Sequence, residues 1–191
     1  FMSASLGITL YPIDETDADA LLRDADTAMY RAKQHGRSTC QFYTAEMTQR
    51  AHENMALEGA LRHAIAHDEL LLHYQPIVDL NTGRILGVEA LLRWTHPELG
   101  VLSPMQFIPL AEETGLIVPI GRWVLREACA QNMDWQRRGL RPVSVAVNLS
   151  PRQFVDEHLL RDIDEALTSS GMSPVLLQLE VTESMVMRNV S

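Results

Sequence analysis

Glu89 and Arg93 are the residues whose types and spacing first suggest chemistry, in the run Glu89-Ala90-Leu91-Leu92-Arg93-Trp94. The apolar segment Arg84-Ile85-Leu86-Gly87-Val88 in front of them reads as a buried β-strand. Side chains alternate along a strand, so Glu89, Leu91 and Arg93 share one face. A carboxylate and a guanidinium so placed have two uses. They form an intrastrand ion pair, since buried charges are normally paired; or Glu89 ligates a cation while Arg93 meets an anion such as a phosphate. Two more oxygen-bearing side chains stand at or near strand ends, Asn148 and Glu180. Carboxylate and amide oxygens are what hard cations such as Mg²⁺ and Mn²⁺ prefer. Any one of the three alone reads as a capping or hydrogen-bonded residue. Together with Arg93 they suggest metal-assisted phosphoester chemistry.

The elements that must carry these residues follow from the pattern. In Val143–Asn148 the valines Val143, Val145 and Val147 face one way, and Ser144, Ala146 and Asn148 the other. In Leu176–Thr182, Leu177, Leu179 and Val181 oppose Gln178, Glu180 and Thr182. Bulky apolar residues on one face and small or polar ones on the other fit a barrel wall with helices outside. Asn148 and Glu180 then end β/α units, where α/β barrels keep their catalytic groups. Upstream, Leu70–Leu80 and Arg84–Trp94 read as antiparallel neighbours joined by Asn81-Thr82-Gly83. Leu71, His73, Gln75 and Ile77 share one face of the first of them. His73 and His96 are read as core, edge or loop histidines and stay outside the site. Ser103-Pro104 opens a helix that Gly115 ends, and Pro119 to about Arg137 forms another. Ser150-Pro151 opens a helical segment running to Gly171. No internal repeat is visible beyond the strand–helix alternation.

The front of the chain reads as a separate piece. A strand over residues 2–11 is followed by the acidic loop Asp14–Asp19, then a helix over Ala18–His35 with Gly36 as its cap. A short strand, Cys40–Tyr43, comes next. About 45 residues bury too little surface to stand alone, so this is expected to be the tail of a larger domain. Thr44 to about His67 is helical, with Met47, Ala51, Met55, Leu57, Leu61 and Ile65 as its apolar stripe. This linker helix could pair with a second copy or pack on its own domain, and an interaction module built on it is one reading of the piece.

The 191 residues are 46% hydrophobic and 21% charged, as in ordinary globular proteins. The net charge of −9 argues against a nucleic-acid polymer as partner, because phosphates would be repelled over most of the surface. It leaves room for a small phosphorylated ligand bridged to carboxylates by a metal. Cys40 and Cys129 lack metal-type spacing and read as free buried thiols in a reduced, cytoplasmic setting. No membrane segment or signal peptide is expected in this chain, although a parent protein could be anchored through segments not present here. Phe1 ahead of Met2 suggests an excerpt from a longer chain.

Residues from about 54 to 191 resemble the front half of an EAL domain, the cyclic-di-GMP phosphodiesterase family. The resemblance rests on Tyr74-Gln75-Pro76-Ile77, Glu89-Ala90-Leu91-Leu92-Arg93-Trp94, Phe107-Ile108-Pro109-Leu110-Ala111-Glu112, Asn148-Leu149-Ser150 and Leu179-Glu180-Val181-Thr182-Glu183-Ser184. The front piece resembles the C-terminal end of a GGDEF (diguanylate cyclase) domain through Ser5-Leu6-Gly7-Ile8 and Asp24–Arg37. The resemblance implies an α/β chain: a partial TIM-like (β/α) barrel of EAL type after a fragment of an α/β GGDEF domain. Its expected divisions are 1–44, a linker-helix start over 45–53, and 54–191. It implies Glu89, Asn148 and Glu180 as metal ligands, with Glu89 and Glu180 catalytic. Gln75, Leu91 and Arg93 would contact substrate, Arg93 at a phosphate, and Glu183 would anchor a loop beside the site. Two Mg²⁺ or Mn²⁺ ions would activate water to open cyclic-di-GMP to linear pGpG. Lys33 and Arg37 match phosphate contacts of the cyclase family, but the signature loop is absent and Ser38 stands where Asn is usual, so no cyclase activity is expected. The paired aspartates and the later lysine, glutamate and glutamine of the EAL site would lie beyond Ser191. The hydrolase is therefore expected of a longer parent, for which a homodimer is one arrangement, with little activity in this chain alone. The alternative is an EAL module that binds cyclic-di-GMP without cleaving it.

Overall fold

A computed structural model describes residues 4–34 and 38–181, in two units divided between Leu57 and Glu58. In the first, β1 (Leu6–Ile8) and β2 (Cys40–Phe42) pair in parallel, Leu6 opposite Cys40, with α1 (Ala18–Gln34) as the crossover. Parallel neighbours need such a crossover. The Asp17 carboxylate opens α1 by accepting the Ala20 N–H at 3.0 Å. Ala28 and Ala32 of α1 are buried. Gly7 lets the strand approach the helix, because a Cβ there would collide with the Ala25 carbonyl and the Met29 amide. β1 is shorter than the strand expected over residues 2–11, and only three residues of β2 pair with it. Gly36 and Arg37 lie outside the described residues, and Lys33 is exposed. Of the two cysteines, expected to be buried, only Cys129 is; Cys40 is exposed. Burial pushes the Cys129 thiol up to about 11, so it stays protonated and unreactive.

The unit boundary falls within α2 (Ala45–Ala64). Its expected stripe is buried only in part: Met47 and Leu61 are covered and Ala51, Leu57 and Ile65 half-buried, whereas Met55 is 71% exposed.

The second unit is a sheet with helices on one face. β3 (Leu70–Val78) and β4 (Ile85–His96) are antiparallel; β6 (Ser144–Asn148) adds to β4 in parallel, and β7 (Leu177–Glu180) to β6. The turn between β3 and β4 is organised by Asp79, whose Oδ1 accepts from Asn81 N, Thr82 N and Thr82 Oγ1 at 2.8–3.0 Å. Those donors, led by Thr82, hold its carboxyl below the ordinary value. Gly83 closes the turn at φ 67°. β4 outruns its expected end at Trp94 and takes on a short partner, β5 (Gly100–Leu102). His96 serves this loop, its Nδ1 accepting from Glu98 N and Leu99 N at 3.2 Å.

The helices are α3 (Pro104–Thr114), α4 (Ile117–Arg137), α5 (Pro151–Phe154) and α6 (Leu159–Ser170). The face carrying Val88, Ala90, Val145 and Val147 is buried, and α3 and α4 pack on the sheet. Tyr74, on that face, meets Trp135 of α4 edge to face at 4.8 Å. Between α4 and α6, Arg122 Nε meets Asp162 Oδ2 at 2.9 Å. The single helix expected from Ser150 to Gly171 is broken, since the Asp156 carboxylate accepts the His158 N–H at 2.8 Å in a local turn.

A small repeat does exist. Ser103-Pro104-Met105-Gln106-Phe107 and Ser150-Pro151-Arg152-Gln153-Phe154 each start a helix after a strand. In both, the glutamine Oε1 accepts the serine N–H, at 2.8 Å in the first and 3.1 Å in the second. Gln153 is buried, and its amide occupies the space that a side chain at Gly121 of α4 would need. Gly121→Ala is therefore expected to cost about 1–3 kcal/mol through overpacking. Urea denaturation monitored by circular dichroism measures it, and an unchanged midpoint would show that Gln153 moves aside freely.

Candidate functional site

The strand registers put the candidate residues on one sheet face. Gln75 pairs with Glu89, His73 with Leu91 and Leu71 with Arg93 across the hairpin. Glu89 pairs with Ala146, and Asn148 pairs with Glu180 on the next strand. Directly paired residues point to the same side, and alternation carries that side along each strand. Gln75, Glu89, Leu91, Arg93, Asn148 and Glu180 thus share the face opposite the helix-packed one. The parallel strands contribute from their C-terminal ends, where barrel enzymes build their sites.

Two contacts occupy Glu89 and Arg93 in place of an ion pair between them. Asn148 Nδ2–H donates to Glu89 Oε1 at 2.7 Å, across 59 residues of sequence. Arg93 Nη1–H donates to the neighbouring Leu92 carbonyl at 2.7 Å. Among the described residues no ion pair joins Glu89 to Arg93. The guanidinium keeps further N–H groups for an anion. Glu89 and Arg93 are half-buried, while Gln75, Asn148 and Glu180 are exposed. Leu149 N–H donates to the Glu180 carbonyl at 2.9 Å, so backbone bonding fixes β7 beside Asn148.

The donor set suits a hard cation. Glu89 and Asn148 already bring their polar heads within hydrogen-bond distance, and Glu180 lies on the adjacent strand, about 4.8 Å away in a parallel sheet. Two carboxylates and one amide oxygen match the ligands Mg²⁺ or Mn²⁺ take. Among the described residues no three His, Cys, Asp or Glu side chains gather for a metal, and the set here includes the amide of Asn148.

The remaining motifs are structural or lie elsewhere. In Phe107-Ile108-Pro109-Leu110-Ala111-Glu112, Phe107, Leu110 and Ala111 are buried, and burial pushes the Glu112 carboxyl up. Arg152 Nη1–H donates to the Glu112 and Glu113 carbonyls at 2.6 and 3.0 Å, closing the end of α3 beside Gly115. Glu183 lies outside the described residues. His73, set aside on sequence grounds, is exposed on the site's own face opposite Leu91. No helix among the described residues is long and apolar enough to cross a membrane.

Comparison with known proteins identifies the family. The EAL domain model matches residues 58–191, and the model described as diguanylate cyclase, GGDEF domain, matches residues 1–39. The chain is 47% identical, over 98% of its length, to the bifunctional diguanylate cyclase/cyclic di-GMP phosphodiesterase MucR of Pseudomonas aeruginosa. It is 40% identical over 99% of its length to the cyclic di-GMP phosphodiesterase PdeR of Escherichia coli. It spans about a quarter of each of these relatives, 27% and 28%. A solved structure titled PaMucR phosphodiesterase, c-di-GMP complex, superposes with a TM-score of 0.68 at 49% identity, covering 70% of this chain and 54% of that one. The sheet and its helices are accordingly wall segments of a TIM-like barrel, preceded by GGDEF-type sequence. With a family model matched over most of its length, the chain belongs to the EAL domain family.

Proposed function

We propose that the protein carrying this chain is a metal-dependent phosphodiesterase that opens cyclic-di-GMP to linear pGpG. The observation that carries the reading is the meeting of Asn148 and Glu89 at 2.7 Å on a face shared with Glu180 and Arg93. Relatives named as cyclic di-GMP phosphodiesterases, and a relative solved with c-di-GMP, support the substrate. Glu89, Asn148 and Glu180 hold the divalent cation, Mg²⁺ or Mn²⁺, through oxygen. The cation, when bound, lowers the pKa of water and offsets charge on the phosphoryl oxygens. Arg93 binds a phosphate and Gln75 and Leu91 complete the substrate surface, Leu91 by apolar contact. Glu183 anchors a neighbouring loop. The working division is a GGDEF fragment over 1–44, a linker-helix start over 45–53 and EAL sequence over 54–191, and the reaction belongs to the cytoplasm.

The test is chromatography of cyclic-di-GMP incubated with the protein in Mg²⁺ or Mn²⁺. We expect pGpG as the product, and its formation to stop when EDTA removes the metal. Tight binding with no pGpG would replace the hydrolase by a cyclic-di-GMP receptor. Neither binding nor turnover would end both readings.

A further inference from the structure

We infer that His73 is a ligand-contacting residue that donates a hydrogen bond to the same phosphate as Arg93. The inference rests on the cyclic-di-GMP reading above and adds a residue to it. His73 lies directly opposite Leu91, with Gln75 opposite Glu89 on one side and Leu71 opposite Arg93 on the other. Its imidazole therefore stands on the face of Gln75, Leu91 and Arg93, diagonal to Arg93 at a Cα separation of about 7–8 Å. That separation is within reach for a histidine and an arginine converging on one anion. His73 is exposed, and among the described residues no hydrogen bond or ion pair involves its ring. With no partner among the described residues, its ring N–H is available to a ligand on this face.

Position also decides which part of the ligand it meets. His73 is diagonal to Glu89 as well, but the Glu89 carboxylate is engaged by Asn148 on the strand away from β3. The metal side of the site thus faces β6 and β7. Arg93 lies past the end of the β4–β6 pairing, with Leu71 of β3 directly opposite and His73 diagonal to it. Leu71, beyond His73, offers no donor. An imidazole N–H beside a guanidinium gives a phosphate oxygen two donors from two strands, with the bidentate character that favours anion recognition.

Isothermal titration calorimetry of cyclic-di-GMP in EDTA tests this without turnover, using the full protein that carries the chain. His73→Ala and His73→Phe are each expected to weaken binding about 10-fold, whereas His73→Gln, which keeps an N–H donor, stays within about 3-fold of wild type. A His73→Ala/Arg93→Ala cycle is expected to be non-additive, the double variant losing less than the product of the single losses. Wild-type affinity in His73→Ala overturns the inference and leaves the cyclic-di-GMP reading standing. Affinity kept by Phe and lost by Gln overturns the donor role in favour of ring stacking. Strict additivity overturns the shared phosphate. A wild-type protein that binds no cyclic-di-GMP removes the underlying reading, and this inference with it. Because His73 is exposed, matching thermal melts are expected and separate lost contact from lost folding.

Discussion

Glu89→Gln is expected to lower cyclic-di-GMP hydrolysis by about 10³-fold while the protein keeps its fold. The side chain retains its size, and its amide can still bond to Asn148, so the 2.7 Å contact has a replacement. What disappears is the anionic oxygen. A bound cation contributes several kcal/mol of transition-state charge stabilisation, and each 1.36 kcal/mol is tenfold in rate. If the proposed set holds a cation, losing one carboxylate weakens that hold and leaves Asn148 and Glu180 to supply a single charge. The measurement is kcat/KM for pGpG formation across a Mn²⁺ titration, beside a denaturation curve. Undiminished turnover with normal metal dependence would falsify the assignment of Glu89 as a ligand. Partial rescue at high Mn²⁺ would instead support it, since weakened affinity is overcome by mass action.

The second large effect is on stability. Trp94→Ala is expected to cost about 3–5 kcal/mol, the range for removing a large buried aromatic. Trp94 is fully buried and sits between Leu70 and Leu102 in the sheet register. Its ring meets Phe107 edge to face at 5.5 Å, and its Nε1–H donates to Glu69 Oε2 at 2.9 Å. The Glu69 carbonyl also accepts the Thr95 N–H at 2.8 Å, so one residue holds both the backbone and the side chain at the end of β4. Alanine leaves a cavity and deprives the Glu69 carboxylate of its donor. Trp94→Phe keeps most of the ring packing and is expected to lose about 1–2 kcal/mol. Equal midpoints for Ala and wild type in guanidinium would sink this account.

Much of the arrangement was legible because the strand period is two. Alternation alone put Glu89, Leu91 and Arg93 on one face, Asn148 opposite the valines, and His73 beside Gln75. It could not say that Asn148 reaches Glu89, because nothing local joins residues separated by 59 positions. That link came from family resemblance and is visible in the register. The same limit hid from the sequence that Arg93 bonds to the Leu92 carbonyl and not to Glu89. β5 escaped notice because its three residues follow Pro97 and end a turn-like stretch; pairing with β4, and not local propensity, makes it a strand. The break between α5 and α6 was hidden by apolar positions that continue across it, while Asp156 stops the helix through its side chain.

The mixture of antiparallel and parallel pairing also implies an order of assembly. β3 and β4 are joined by a short turn, so Gln75, Leu91 and Arg93 come together on closing a small loop. Asn148 reaches Glu89 only after the crossover from β4 to β6 has folded, and Glu180 joins the sheet only after a second, from β6 to β7; such non-local pairing forms slowly. The side of the face carrying Gln75, Leu91 and Arg93 is thus expected to exist on a hairpin before Asn148 and Glu180 are added to it. The two sides of this face would then be completed at different times, the hairpin's side first.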